Sequence, residues 1–230
     1  MKKIFVFFAF ILLSKMEVVK AQDRVDHLEP VISVFELSDF SFDYNTKIRK
    51  ILFKGLSKKP EIRFLEKPSF TAESVLEIER MQGKYFLIYQ ICEENIWYSK
   101  NWEGIKVQTF KTEIDKASVD LIKTLFDVAI SQVRFPPAPI PKQIVNADGT
   151  VFESVTLSIN TDGTNYFFTT NQYGKIKTGV IWSPASGTKM GQLVNIGYGL
   201  VELAKAKNEL VFLDEDLKRK IEQLISEMNE

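Results

Sequence analysis

Hydrophobic positions change their period along the chain, and each change marks an element. Ile48, Ile51, Leu52 and Leu56 recur on one helical face, with Lys47, Arg49, Lys50 and Lys54 on the others. This predicts a helix from Asn45, as its cap, to about Leu56. Pro60 forces an extended exit. Five short runs then read as strands: 62–65, 75–80, 85–92, 96–99 and 105–112. The turns Gln82-Gly83 and Glu93-Glu94-Asn95 leave room only for antiparallel neighbours, so these strands form a meander. The run Tyr85 to Cys92 is apolar on both alternating faces, the pattern of a central strand covered on both sides.

Asp115 opens a second helix, along which Val119, Ile122, Leu125, Phe126, Ala129 and Val133 keep the 3.6-residue period before Pro136 stops it. Residues 136–141 (PPAPIP) cannot be helical and mark the one candidate boundary inside the mature chain. Beyond it the pattern recurs. Strands are expected at 152–160, 166–170 and 176–182, with Asp162-Gly163 as the strongest hairpin signal and Tyr173-Gly174 as the next turn. Helices follow at about 189–206 and 214–228, the second opened by Asp214, Glu215 and Asp216, where a helix start favours negative charge. Runs of antiparallel strands separated from runs of helices give an α+β class: meander sheet with helices packed on one face. Gly83-Lys84-Tyr85-Phe86 and Thr164-Asn165-Tyr166-Phe167 echo each other faintly.

The amino end changes the picture from fold to destination. Met1-Lys2-Lys3 is a basic head, Ile4 to Leu13 is unbroken apolar, and Val19-Lys20-Ala21 suits a signal peptidase. We expect residues 1–21 to be a cleaved signal peptide and residues 22–230 to be a single secreted or periplasmic α+β domain, with a possible sub-domain division at 136–141. The ten apolar residues are half of the roughly 20 that span a bilayer, so no stable membrane insertion is expected after cleavage. Removing the leader takes four Lys and one Glu from 30 basic and 30 acidic residues, which leaves a slightly acidic chain. That balance offers no footprint for nucleic acid. The one cysteine, Cys92, excludes an intramolecular disulfide and reads as a buried thiol.

Chemistry is sparse. His27, the one histidine, stands near the mature amino end without a His or Cys neighbour and reads as a solvated side chain, so neither a His-rich metal site nor a Cys/His pair is expected. No glycine-rich phosphate loop is present, and no cofactor is expected. Two carboxylate pairs occur: Glu77 and Glu79 on one strand face expected to be wet, and Glu93-Glu94 in a turn. The aromatics Trp97, Tyr98 and Trp102 gather around the loop Asn101–Gly104 and are candidates for stacking on sugar or on a partner's surface.

Three strings used by serine acyl-enzymes of the penicillin-binding type also occur: Ser158-Ile159-Asn160, Lys177-Thr178-Gly179 and Ser186-Gly187-Thr188-Lys189. Their order is wrong for that chemistry, since Ser-x-x-Lys should come first, in a helical lobe that this chain lacks. A structural reading uses the same residues: Trp182 as a core anchor at a strand end, Pro184 in a helix-type turn, and Ser186 or Thr188 as a cap. Ser186, Gly187, Thr188 and Lys189 then form a candidate anion site at a helix start. The reading that best covers the chain is an exported, non-enzymatic binding protein whose partner is a protein or cell-envelope component. The alternatives are a secreted hydrolase or acyl transferase using Ser186 with Lys189 or a carboxylate pair, and an enzyme inhibitor presenting Asn101–Gly104.

Overall fold

The computed structural model describes residues 26–31, 39–136, 141–146, 148–154, 162–206 and 208–230. The expected leader, the middle of the Pro-rich connector and the Ser158-Ile159-Asn160 string lie outside the described residues. Strands β1 (Glu29–Pro30), β2 (Ile62–Pro68), β3 (Ser74–Met81), β4 (Lys84–Cys92), β5 (Val107–Ile114), β8 (Thr164–Gln172), β9 (Lys175–Trp182) and β10 (Leu210–Val211) make one sheet. Its order is β1-β9-β8-β2-β3-β4-β5-β10, antiparallel throughout except for β10 against β5. The short strands β6 (Lys142–Val145) and β7 (Val151–Ser154) form a separate hairpin.

The two meanders therefore meet in one sheet, joined where β2 pairs with β8 from Ile62↔Thr170 to Pro68↔Thr164. Three helices cover one face: α2 (Lys116–Ser131) and α3 (Lys189–Lys205) lie on the strands, and α4 (Glu215–Met228) packs on both helices. The main core between these layers holds Phe64, Leu76, Ile78, Leu87, Phe126, Phe168, Leu193 and Leu224. Alternation puts the next residues, Leu65, Val75 and Cys92, on the opposite face, where Ile48 of α1 (Asp39–Ile51) and Leu52 just past its end close a smaller core. This makes β4 the doubly covered strand that its apolar run predicts, and β3 beside it is buried on both faces as well.

The caps follow from the sequence. Asp115 accepts the Ser118 N–H (3.1 Å), Thr188 accepts the Gly191 N–H (3.0 Å) and Asp214 accepts the Leu217 N–H (2.7 Å), each satisfying a donor that helix geometry leaves over. Both two-residue turns take positive φ at both positions, as a hairpin of right-twisted strands requires: Gln82 (51°) with Gly83 (86°), and Tyr173 (53°) with Gly174 (79°). Tyr173 is fully exposed, so its ring contributes nothing against that backbone cost. Tyr173→Asn is expected to raise the unfolding free energy by about 0.5 kcal/mol in urea denaturation, because Asn tolerates the left-handed region better.

Other expectations are corrected. Asn45 lies inside α1 and not at its cap; its Oδ1 accepts from Lys67 Nζ at 2.7 Å. Residues 96–99 form no strand, because Asn95 turns the chain by accepting the Tyr98 N–H (3.2 Å). Asp162-Gly163 does not join a hairpin: both neighbours of β8 are already taken by β2 and β9, and Gly163 instead exchanges hydrogen bonds with Ser69. Trp182 is 37% exposed, so it does not anchor the core. The segment that carries His27 is no loose tail. His27 is half-buried, Leu28 is fully buried, and the Leu28 carbonyl accepts the Arg134 N–H at 3.0 Å.

Candidate functional site

Three places gather the residues that the sequence singles out. The first is the face under the segment after α1. Glu77 and Glu79 do share a strand face, but the expectation of a wet face is overturned: Glu77 is fully buried and Glu79 nearly so. The Ser57 N–H donates to both carboxylates, at 3.0 Å for Glu77. Arg63, opposite Glu77 in the β2–β3 register, donates from Nε to Glu77 Oε2 (2.8 Å), sets Nη2 2.6 Å from the same oxygen, and donates to the Ser57 carbonyl (2.6 Å). The Phe53 ring lies 4.3 Å from the guanidinium. Burial, then the hydrogen bond with Glu79, pushes Glu77 up to about 8 against the pull of Arg63. These groups satisfy one another, so the pair is a buried polar network that ties β2, β3 and the Ser57 turn together. Glu93 and Glu94 are exposed, and Glu94 accepts from the Ser99 hydroxyl.

The second place is the loop after β4. Glu73, fully buried, accepts the Tyr44 hydroxyl on Oε1 (2.6 Å) and the Ile96 N–H on Oε2 (2.9 Å). Asn95 donates to the Thr71 carbonyl (2.6 Å) while its oxygen holds Tyr98. Two buried side chains thus fix the backbone on which Trp97 (50% exposed) and Tyr98 (59%) stand. Phe70 (65% exposed) runs nearly parallel to Tyr98, at 7° with centroids 6.5 Å apart, and Trp97 meets Tyr44 edge-on at 5.1 Å. The three exposed rings make an aromatic shelf. Trp102 departs from it: half-buried, it packs on the smaller core, with Lys47 and Lys50 5.7 and 5.6 Å from its ring centre.

Charge around the shelf is tightly managed. Burial first, then Arg49, draws Lys67 down to about 8 despite Glu73, and its ammonium lies 4.7 Å from the Tyr44 ring centre. Burial and Glu73 raise the Tyr44 hydroxyl, and burial followed by Glu73 pushes the Cys92 thiol up to about 12. A thiol held that high is a poor nucleophile.

The third place is the entrance to α3. Ser186 lines an open cavity of about 250 Å³ with Tyr166, Ser183, Asn195 and Tyr198. Tyr198 donates to Glu66 (2.8 Å) and meets the Tyr166 hydroxyl at 3.0 Å. Thr188 is the cap, and the Asp26 carboxylate accepts the Met190 N–H at 3.0 Å, so the chain brings its own anion to this helix start. Lys189 donates to the Glu227 carbonyl near the end of α4. Ser186 thus borders the cavity, while Lys189 is tied to α4. Gly187 has open space around it. In the other string, Gly179 has a steric reason: a Cβ there would lie 2.8 Å from Leu28 Cβ and 2.9 Å from Val133.

Among the described residues, no cluster of three or more His, Cys, Asp or Glu is placed to hold a metal ion. Nor is any of their helices long and apolar enough to cross a membrane. Sequence reasoning missed Glu73, Phe70 and Lys67. Glu73 sits in Thr71-Ala72-Glu73-Ser74, which reads as a polar turn, and only tertiary packing turns its carboxylate inward. Compared with known protein families, curated proteins and solved structures, the chain matches none.

Proposed function

We propose that this is an exported, non-enzymatic binding protein that engages a protein or cell-envelope component through Phe70, Trp97 and Tyr98. The observation that carries this reading is the scaffold: Trp97 and Tyr98 stand on a loop whose backbone is pinned by the buried side chains of Glu73 and Asn95, and the exposed Phe70 ring, from the connection between β2 and β3, stacks on Tyr98. Rigid aromatic groups supply contact area at low entropic cost, which is why such residues dominate interface energetics. The apolar run at the amino end supports export, with the mature chain starting at Gln22.

Two measurements check this. Intact mass of the protein recovered from an exporting cell should correspond to a start at Gln22; retention of residues 1–21 contradicts export by cleavage. A photo-crosslinking amino acid at position 98 should give a discrete adduct in that cell, while the same group at Tyr173, more exposed and on the turn between β8 and β9, gives none. Equal labelling at both positions, or none at 98, removes the shelf as a binding surface.

A further inference from the structure

Positive charge is collected on one stretch of the surface. Residues 44–60, which run along α1 and through the turn to Pro60, hold six Lys or Arg and no Asp or Glu. Of the 26 basic residues from Gln22 onward, the other 20 stand against all 29 acidic residues, so a chain that is slightly acidic as a whole is strongly basic here. The fold turns this charge outward: Ile48 and Leu52 are spent on the smaller core, while Arg49, Lys50, Lys54, Lys58 and Lys59 are all exposed. Carboxylates answer little of it. Asp43 pairs with Lys47 at 2.7 Å, and Glu103 borders the same hollow as Lys50 and Lys54. Among the described residues, Lys54, Lys58 and Lys59 form no ion pair. Five outward cations beside one acid favour an anionic partner.

At its start this strip meets the shelf, since Tyr44 on α1 takes the Trp97 ring edge-on at 5.1 Å. Further along, Lys47 and Lys50 both stand over Trp102, from the same loop that carries the shelf. Exposed Trp and Tyr rings beside a run of cations are the composition of a surface that lies on a bilayer: the cations face lipid phosphates, and the rings sit at headgroup level. No large apolar side chain of residues 44–60 is exposed, so the strip itself holds by charge and not by insertion. We propose that α1 and the turn after it form a peripheral docking surface for an anionic lipid membrane, with the shelf rings settling among the headgroups beside it. This rests on the reading of the shelf as a binding surface and names its partner.

The test sediments the protein recovered from an exporting cell with vesicles of phosphatidylcholine, alone or mixed with phosphatidylglycerol. The mixed vesicles should bind it at least about tenfold more tightly, and that binding should fall steeply between about 0.05 and 0.5 M NaCl. Lys54→Gln, Lys58→Gln and Lys59→Gln should each weaken it by about fivefold, and the triple variant by about a hundredfold. These side chains are exposed, so the variants keep the fold. Trp97→Ala with Tyr98→Ala should weaken vesicle binding too, and should leave binding to heparin, a soluble polyanion, unchanged. Equal binding to both kinds of vesicle, or an undiminished triple variant, overturns the strip as the docking surface. Heparin bound as tightly as the mixed vesicles, with the ring variant without effect on either, overturns lipid as the partner. A discrete protein adduct at position 98 without vesicle binding removes this inference and leaves the shelf reading standing.

Discussion

Arg63→Met lowers the free energy of unfolding by about 3–5 kcal/mol at about pH 9, where Glu77 is ionised, measured by urea denaturation. The guanidinium is the one cation bonded to Glu77 among the described residues; the Glu77 side chain has no solvent exposure, and methionine leaves that carboxylate buried beside Glu79 without it. Adding Glu77→Met should return much of the loss, because an apolar pair of similar volume removes the uncompensated charge. A cost below about 1 kcal/mol for Arg63→Met would place the pair in solvent, where ion pairs contribute little. The same network gives the protein a pH signature. Glu77 keeps its proton to about pH 8 when folded, against an ordinary value of 4.5. The unfolded chain therefore releases that proton first, and the stability it represents, whole below 4.5, is lost as pH climbs through about 8. Across about pH 5 to 8, the melting temperature of Glu77→Gln should fall less than that of the parent; parallel curves contradict the shared proton.

Glu73→Ala is the second large effect, about 2–5 kcal/mol, because it strands two donors at once: the Tyr44 hydroxyl and the Ile96 N–H. The loss should come with a local change. With its backbone anchor gone, the Trp97 loop loosens, and acrylamide should quench Trp97 fluorescence more readily in folded protein that also carries Trp102→Phe and Trp182→Phe. Glu73→Gln keeps an acceptor oxygen and should cost about 1–2 kcal/mol. A stable Glu73→Ala protein with unaltered quenching would mean that the loop holds itself.

Much of the fold was legible because local signals and tertiary demand agreed. The double-sided apolar run of β4 could only be a covered strand, Gln82-Gly83 could only be a tight turn, and Asp115 and Asp214 each stood before a periodic apolar stripe. Disagreement came where side chains act at a distance. Asp162-Gly163 carries a hairpin signature, yet the strand beside it had already been claimed by residues a hundred positions upstream. The site was legible only in part. Trp97 and Tyr98 stood out by type, but Phe70 joins them through a ring contact across 28 positions, and no pattern announces that. Alternation correctly put Glu77 and Glu79 on one face and said nothing of α1 lying over it; a wet strand and a strand under a helix share the same period.

Both ends of the large sheet are closed by two-residue strands, β1 and β10, and this bears on how the protein behaves at high concentration. A long bare strand edge is a template on which further copies can add, the first step toward fibres. Here, among the described residues, Glu29 and Pro30 cover Val180 and Gly179 of β9, and the stretch beyond them carries exposed Lys175 and Lys177, whose charges repel an incoming strand. β5 carries exposed Lys111 in the same role beyond Leu210 and Val211. The Lys177-Thr178-Gly179 string thus gains a meaning in colloidal terms: Lys177 guards an open edge, and Gly179 makes the seat from which Leu28 seals the rest of it.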